Sequence, residues 1–250
     1  MIDAHCHLDA YPNPLDLAYE IERRRTLIIA VTDSPEAFAR AYPHVRSLRT
    51  IRLALGLHPL LEERHPRARA AFSHYLDRTS YVGEVGLDFS PEGRNSRDQQ
   101  LLSFRHVLEL VSRNPKYVSI HSRRAETAVL DQLEEYHVGP AVFHWYSGSL
   151  SQLDRLLSMG HACSINAAMV RSTKGRAIIE RLPPGRVLTE TDGPFLRIQG
   201  KAARPAQVEE PIAFLASMWG WTQDEVLLRI RHNLRALVPM RDNQSSPNNR

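Results

Sequence analysis

Short apolar runs alternate with longer amphipathic stretches along the whole chain. The runs at 1–4, 27–31, 51–55, 81–85, 117–120, 141–143, 161–165 and 187–188 have the length of strands. Between and after them, 15–25, 62–76, 97–112, 125–136, 150–159, 173–181, 205–218 and 222–238 read as helices. In the third of these, Leu101, Phe104, Leu108 and Val111 recur at helical spacing. Strands alternating with helices of this length imply parallel crossovers. Eight such units in 250 residues favour a closed (β/α)8, TIM-like barrel over an open doubly wound sheet. The expected organisation is one α/β barrel domain over 1–240. A polar tail, 241–250, has no apolar anchor and is expected to be disordered.

Composition adds bounds to this picture. No apolar run approaches the roughly 18 residues of a membrane span. No basic region followed by an apolar segment opens the chain, so no signal peptide is evident. The two cysteines, Cys6 and Cys163, lie far apart and suggest packing in a reducing cytoplasm rather than a disulfide framework. The net charge of +4 hides a strong bias, 29 Arg against 3 Lys. Arginine suits bidentate phosphate contact, but a GC-rich genome produces the same bias, so charge permits nucleic-acid binding without requiring it.

Candidate chemistry emerges where the strands end. The first run closes in His5-Cys6-His7. Alternate side chains of an extended segment share a face, so both histidines can grip one cation while Cys6 points away. Later runs close in Gly56-Leu57-His58-Pro59, Gly83-Glu84-Val85-Gly86-Leu87-Asp88, Ile120-His121-Ser122-Arg123, Phe143-His144 and Glu190-Thr191-Asp192-Gly193-Pro194. A barrel builds its active site at this face. Imidazole and carboxylate together suit Zn²⁺, Mn²⁺ or Fe²⁺ better than Mg²⁺. There are more ligands than one ion needs, and two ions require a bridging carboxylate. Glu84, central in strand order and flanked by Gly83 and Gly86, is the bridge candidate. Asp192 at the last strand end falls beside His5 and His7 once the barrel closes, where it could ligate an ion and deprotonate the attacking water. A lone strand-end histidine is more often structural; it is the conjunction of several that points to a site. Asp88 and Glu190 are read as partners orienting ligand imidazoles or as ordinary loop carboxylates. Histidines 65, 74, 106 and 137 fall in helices or loops and are expected to be solvated.

With these motifs in order, joined by Ile2-Asp3-Ala4-His5-Cys6-His7-Leu8 and Asn233-Leu234-Arg235-Ala236-Leu237, the chain resembles the TatD-type metal-dependent deoxyribonucleases of the amidohydrolase superfamily over residues 1 to 238. The resemblance implies a two-metal site. His5, His7 and Asp192 would hold one ion and His121 and His144 the other, with Glu84 shared. His58 and Arg123 would face the scissile phosphate. It also implies a DNA substrate, single-stranded or at 3′ ends, cut 3′→5′ with magnesium stimulation. Two segments depart from the family pattern. Trp145-Tyr146 stands where Cys-Phe usually follows the histidine, and the stretch from Phe89 to Arg94 is shorter and less aromatic. With Val31-Thr-Asp-Ser-Pro35 and Thr191-Asp-Gly-Pro-Phe195, they look closest to QatD, the TatD-like component of the Qat anti-phage defence system. That resemblance implies partner proteins, an ATPase and a QueC-like enzyme.

Two other functions stay open on the sequence. One is a metal-dependent hydrolase of a small amide, ester or modified nucleobase, since fold does not fix function. Many such enzymes bridge their metals with a carboxylated lysine, yet the only lysines here are Lys116, Lys174 and Lys201, and Lys116 precedes its strand. The other is a non-catalytic assembly subunit of a defence complex, against which the full set of ligands weighs.

Overall fold

The computed structural model describes residues 1–239, without the side chains of 62–64. The expected disordered tail therefore lies outside the described residues. Within them the chain is a (β/α)8 barrel. Its parallel staves are β1 (Ile2–Cys6), β2 (Leu27–Ala30), the pair β3 (Ile51–Leu53) and β4 (Leu55–Leu57), β5 (Tyr81–Gly86), β6 (Tyr117–His121), β7 (Val142–His144), β8 (Ala162–Ile165) and β9 (Val187–Thr189). Pairing runs β1-β2-β3 and β4-β5-β6-β7-β8-β9. The ring closes between β9 and β1, where Thr189 Oγ1 donates to the Ile2 carbonyl (2.7 Å). Just beyond, the Asp192 amide donates to the His5 carbonyl (2.9 Å) and the His7 amide to the Gly193 carbonyl (2.8 Å). The staves are buried on both faces because helices cover one side and the barrel interior the other.

The third stave is expected as one run and is split in two. Gly56 explains the break. A Cβ there would lie 1.4 Å from the Thr32 carbonyl oxygen. Without one, Thr32 approaches closely enough to accept the Glu84 amide (3.1 Å) while its own amide donates to the Gly83 carbonyl (3.1 Å). The backbone that carries Glu84 is thus pinned by residues from three staves.

The helices are α1 (Pro14–Arg24), α2 (Pro35–Val45), α3 (His65–Tyr75), α4 (Arg97–Arg113), α5 (Glu126–Glu135), α6 (Leu150–Ser158), α7 (Ala167–Arg171), α8 (Thr173–Arg181), α9 (Glu209–Trp219) and α10 (Gln223–Leu237). Of these, α2 and α7 are absent from the sequence reading. Pro43 inside α2 removes an interior N–H donor and argues against a helix. Ser34 caps the other end, where its hydroxyl accepts the Ala37 amide and Pro35 stands in the first turn, and the helix buries Phe38 and Val45 against the core. Helix α7 is a short turn capped by Asn166, too brief to show a period. A small hairpin, β10 (Arg197–Ile198) with β11 (Lys201–Ala202), follows Asp192, its strands too short to show an alternation in sequence. The expected helix at 62–76 begins as a 3-10 turn, and the one at 205–218 starts later, at Glu209.

Candidate active site

Glu84 sits at the centre of a cluster at the C-terminal ends of the staves. One carboxylate oxygen, Oε2, lies 3.1 Å from His7 Nε2 and 3.4 Å from His5 Nε2. The other, Oε1, lies 2.5 Å from His121 Nδ1, 2.7 Å from His144 Nε2 and 3.5 Å from His58 Nε2. Asp192 Oδ1 closes the first group at 3.7 Å from His5 and 3.6 Å from His7. His5 and His144 stack between the groups, with ring centroids 3.8 Å apart. Asp192 is turned inward by a left-handed backbone (φ 47°), which aspartate tolerates better than most residues.

The outer nitrogens decide what each ring offers inward. His5 Nδ1 lies 2.8 Å from Ser119 Oγ, His7 Nδ1 3.2 Å from Asp33 Oδ1, and His121 Nε2 2.9 Å from Asp88 Oδ2. A ring that donates its outer N–H keeps a lone pair on the inner nitrogen, as a cation ligand must. His144 Nδ1 is buried without a hydrogen-bond partner, its nearest carboxylate oxygen being Glu190 Oε1 at 4.0 Å. His58 differs. Its Nδ1 accepts the Leu60 amide (3.1 Å), so the neutral ring turns an N–H toward the cluster rather than a lone pair. Ligand atoms of His5, His7 and Glu84, of His5, His144 and Asp192, and of His58, Glu84 and His121 each lie within 4.8 Å of one another. These residues fit divalent cations, and the observation that says so is the placement of Ser119, Asp33 and Asp88 against the outer nitrogens of His5, His7 and His121, which leaves the opposite ring nitrogens facing Glu84.

Electrostatics follow from burial and these contacts. Burial alone would raise the Glu84 carboxyl, but the imidazoles of His144, His58 and His121 more than reverse it and hold it well below the usual range. Burial raises the Asp192 carboxyl. Burial, then the neighbouring His144, keeps His5 neutral. Burial would lower His121 too, but Glu84 and Asp88 push it up to about 9. Burial would raise Asp88, yet hydrogen bonds from His121 and Ser90 hold it at about 2.

All six sequence-predicted metal ligands, His5, His7, Glu84, His121, His144 and Asp192, converge on this cluster, and His58 adjoins it. Arg123 does not touch the cluster. It lines the same cavity of about 640 Å³, half exposed, with Nη1 3.6 Å from Glu92. Cys6 is buried with its thiol toward the Gly193 carbonyl, away from the cluster. One expectation is corrected. His65 is fully buried rather than solvated, held between Ser103 Oγ (2.8 Å) and the Pro59 carbonyl (2.9 Å), because the turn after His58 folds back onto α4.

Four supporting residues had no assigned role in the sequence reading. Asp33 and Ser119 orient ligand imidazoles, as above. Asp3 is buried and accepts from the Thr191 amide (2.9 Å), Thr191 Oγ1 (2.6 Å) and the Ala206 amide (2.8 Å), which ties β1 to the turn bearing Asp192. Asn166 donates to Glu190 (2.9 Å), a carboxylate that also accepts from Ser164 and from the Trp145 amide. Polar residues inside otherwise apolar strands, Asp3 and Ser119, were the available signal.

A closed barrel with imidazoles and carboxylates gathered at its strand ends defines a metal-dependent hydrolase. Residues 2–239 match the TatD related DNase family, and the chain belongs to it. It is 30% identical over 253 residues to the metal-dependent hydrolase YjjV of Escherichia coli, covering 94% of this chain and 96% of that protein. The YjjV crystal structure superposes with a TM-score of 0.84, covering 95% of this chain and 97% of that one. Human deoxyribonuclease TATDN3 is 26% identical over 260 residues, 96% of this chain and 94% of that protein. The 3′-5′ ssDNA/RNA exonuclease TatD of Pantoea vagans is 29% identical over 168 residues, 62% of this chain and 64% of that protein. No described helix is long and apolar enough to cross a membrane.

Proposed function

We propose that this protein is a deoxyribonuclease that hydrolyses phosphodiesters at a site built for two divalent cations bridged by Glu84, working from a 3′ end. The observation that carries the reading is the division of the Glu84 carboxylate, one oxygen facing His5 and His7, the other facing His121 and His144. His5, His7 and Asp192 would hold one ion and His121 and His144 the other. Ions bound there supply Lewis-acid charge and lower the pKa of water. The nitrogen-rich ligand set favours Zn²⁺ or Mn²⁺ over Mg²⁺.

The chain's own groups account for the rest. Burial raises the basicity of the Asp192 carboxylate, which takes the proton from the attacking water. His58 presents its Nε2–H to a non-bridging phosphoryl oxygen, the role its tautomer suits. Arg123, in the same cavity, offers a guanidinium to the phosphate. The names of TATDN3 and of the Pantoea TatD support a DNA substrate and the 3′→5′ direction. The motif likeness to QatD supports a place in an anti-phage system beside an ATPase and a QueC-like enzyme, in the cytoplasm.

The test is cleavage of end-labelled single- and double-stranded oligonucleotides, run beside a panel of small amides, esters and nucleoside analogues. Wild-type protein with added metal is expected to shorten labelled DNA, and Asp192→Ala to leave it intact. Turnover confined to the small-molecule panel would replace this reading.

A further inference from the structure

Among the large hydrophobic side chains of the described residues that stand in solvent, Phe195 is the one that lines the active-site cavity, and it is 61% exposed. Its ring lies edge-on to the His7 imidazole, with centroids 4.9 Å apart and planes at 77°. It rides the same turn as Asp192, because the amides of Phe195 and Leu196 both donate to the Asp192 carbonyl, at 3.0 and 3.1 Å. Trp145 lines the same cavity and directly follows His144. Its amide is held by Glu190 Oε1 at 3.0 Å, and its backbone is left-handed (φ 38°). Its side chain packs both on the main core and on a small apolar cluster of Ala167, Leu196 and Ala203. Leu196 of that cluster directly follows Phe195 on the turn that carries Asp192.

Each ring therefore stands beside a candidate cation ligand, yet neither can ligate a divalent metal ion or carry a proton. An aromatic ring kept exposed beside a polar site suits a flat apolar partner. A nucleobase presents such a face only when it is not stacked and paired within a duplex. We propose that Phe195 and Trp145 form a stacking clamp for the base of the terminal nucleotide, so that the substrate is a polynucleotide end whose last base is unpaired. The clamp rests on the phosphodiesterase reading of the same site and adds the feature that selects the end.

Two measurements test it. The first is fluorescence anisotropy with a labelled oligothymidylate in an Asp192→Asn background, which blocks cleavage. Phe195→Ala is expected to weaken binding about tenfold, Phe195→Tyr to restore it and Phe195→Leu not to; Trp145→Phe is expected to bind more tightly than Trp145→Ala. The second compares cleavage of an oligonucleotide with a normal terminal nucleotide and one with an abasic terminus. Wild-type protein is expected to prefer the base, and Phe195→Ala to lose the preference. Unchanged affinity in Phe195→Ala, rescue by leucine equal to that by tyrosine, or equal use of the abasic end would overturn the clamp. Protein that cleaves DNA without dependence on either aromatic removes the clamp and leaves the nuclease reading. Protein that binds with base preference but cleaves no DNA removes the nuclease reading and leaves the clamp.

Discussion

Glu84 meets His144 through Oε1 alone, at 2.7 Å from Nε2, which leaves Oε2 to face the histidines of the first strand. A carboxylate divided in this way can serve two cations only with both oxygens unprotonated, and the surrounding imidazoles keep it so. Glu84→Gln keeps the shape and removes the charge. It is expected to lower the number of bound divalent ions per chain and to abolish metal-dependent hydrolysis, with the circular dichroism spectrum unchanged. Metal analysis after gel filtration checks the first outcome.

Asp33 acts one step further out, through its contact with His7 Nδ1. Removing such a partner typically costs 10–100-fold in metal affinity. Asp33→Ala is expected to weaken divalent-cation binding by about that factor, as read by competition with a chromogenic chelator. An Asp33→Asn protein, whose amide oxygen can still accept from Nδ1–H, is expected to recover part of the loss.

Asp3 reaches no substrate and holds the architecture. It accepts three hydrogen bonds from the segments that carry Thr191 and Ala206. Asp3→Ala leaves those donors buried and unpaired, at an expected cost of about 3 kcal/mol in stability. Urea denaturation of both proteins at the same pH measures the difference.

His161 gives a pH signature outside the metal cluster. Burial, with Arg186 nearby, lowers its pKa to about 4, against an ordinary value of 6.5. The folded protein then binds fewer protons than the unfolded chain between those values, so stability rises with pH across that window. Acidification from pH 6.5 through 4 removes up to about 3 kcal/mol. His161→Asn retains an acceptor for the Ala141 amide, which now donates to Nδ1. The variant is expected to show a flatter stability profile over that range, checked by denaturation at half-unit pH steps.

The sequence carries the barrel and the cluster through a regular signal: apolar runs that end in histidine or carboxylate, from His5 and His7 to Asp192. Features set by neighbours distant in sequence were not legible. Helix α2 is hidden by Pro43, whose local cost is met by packing of Phe38 and Val45 into the core. The split of the third stave depends on Gly56 meeting Thr32. The role of Asp33 depends on which His7 nitrogen faces outward. His65 looks solvated in its helix because the fold that buries it brings Ser103 across from α4.

The most direct measurement of the central claim is the metal-dependent rate of hydrolysis of end-labelled single-stranded DNA by wild-type and Glu84→Ala protein, purified in parallel and assayed with added Mn²⁺, Zn²⁺ or Mg²⁺. Cleavage by the wild type, stopped by chelation and absent in Glu84→Ala, is the expected result. Undiminished cleavage by Glu84→Ala would contradict it.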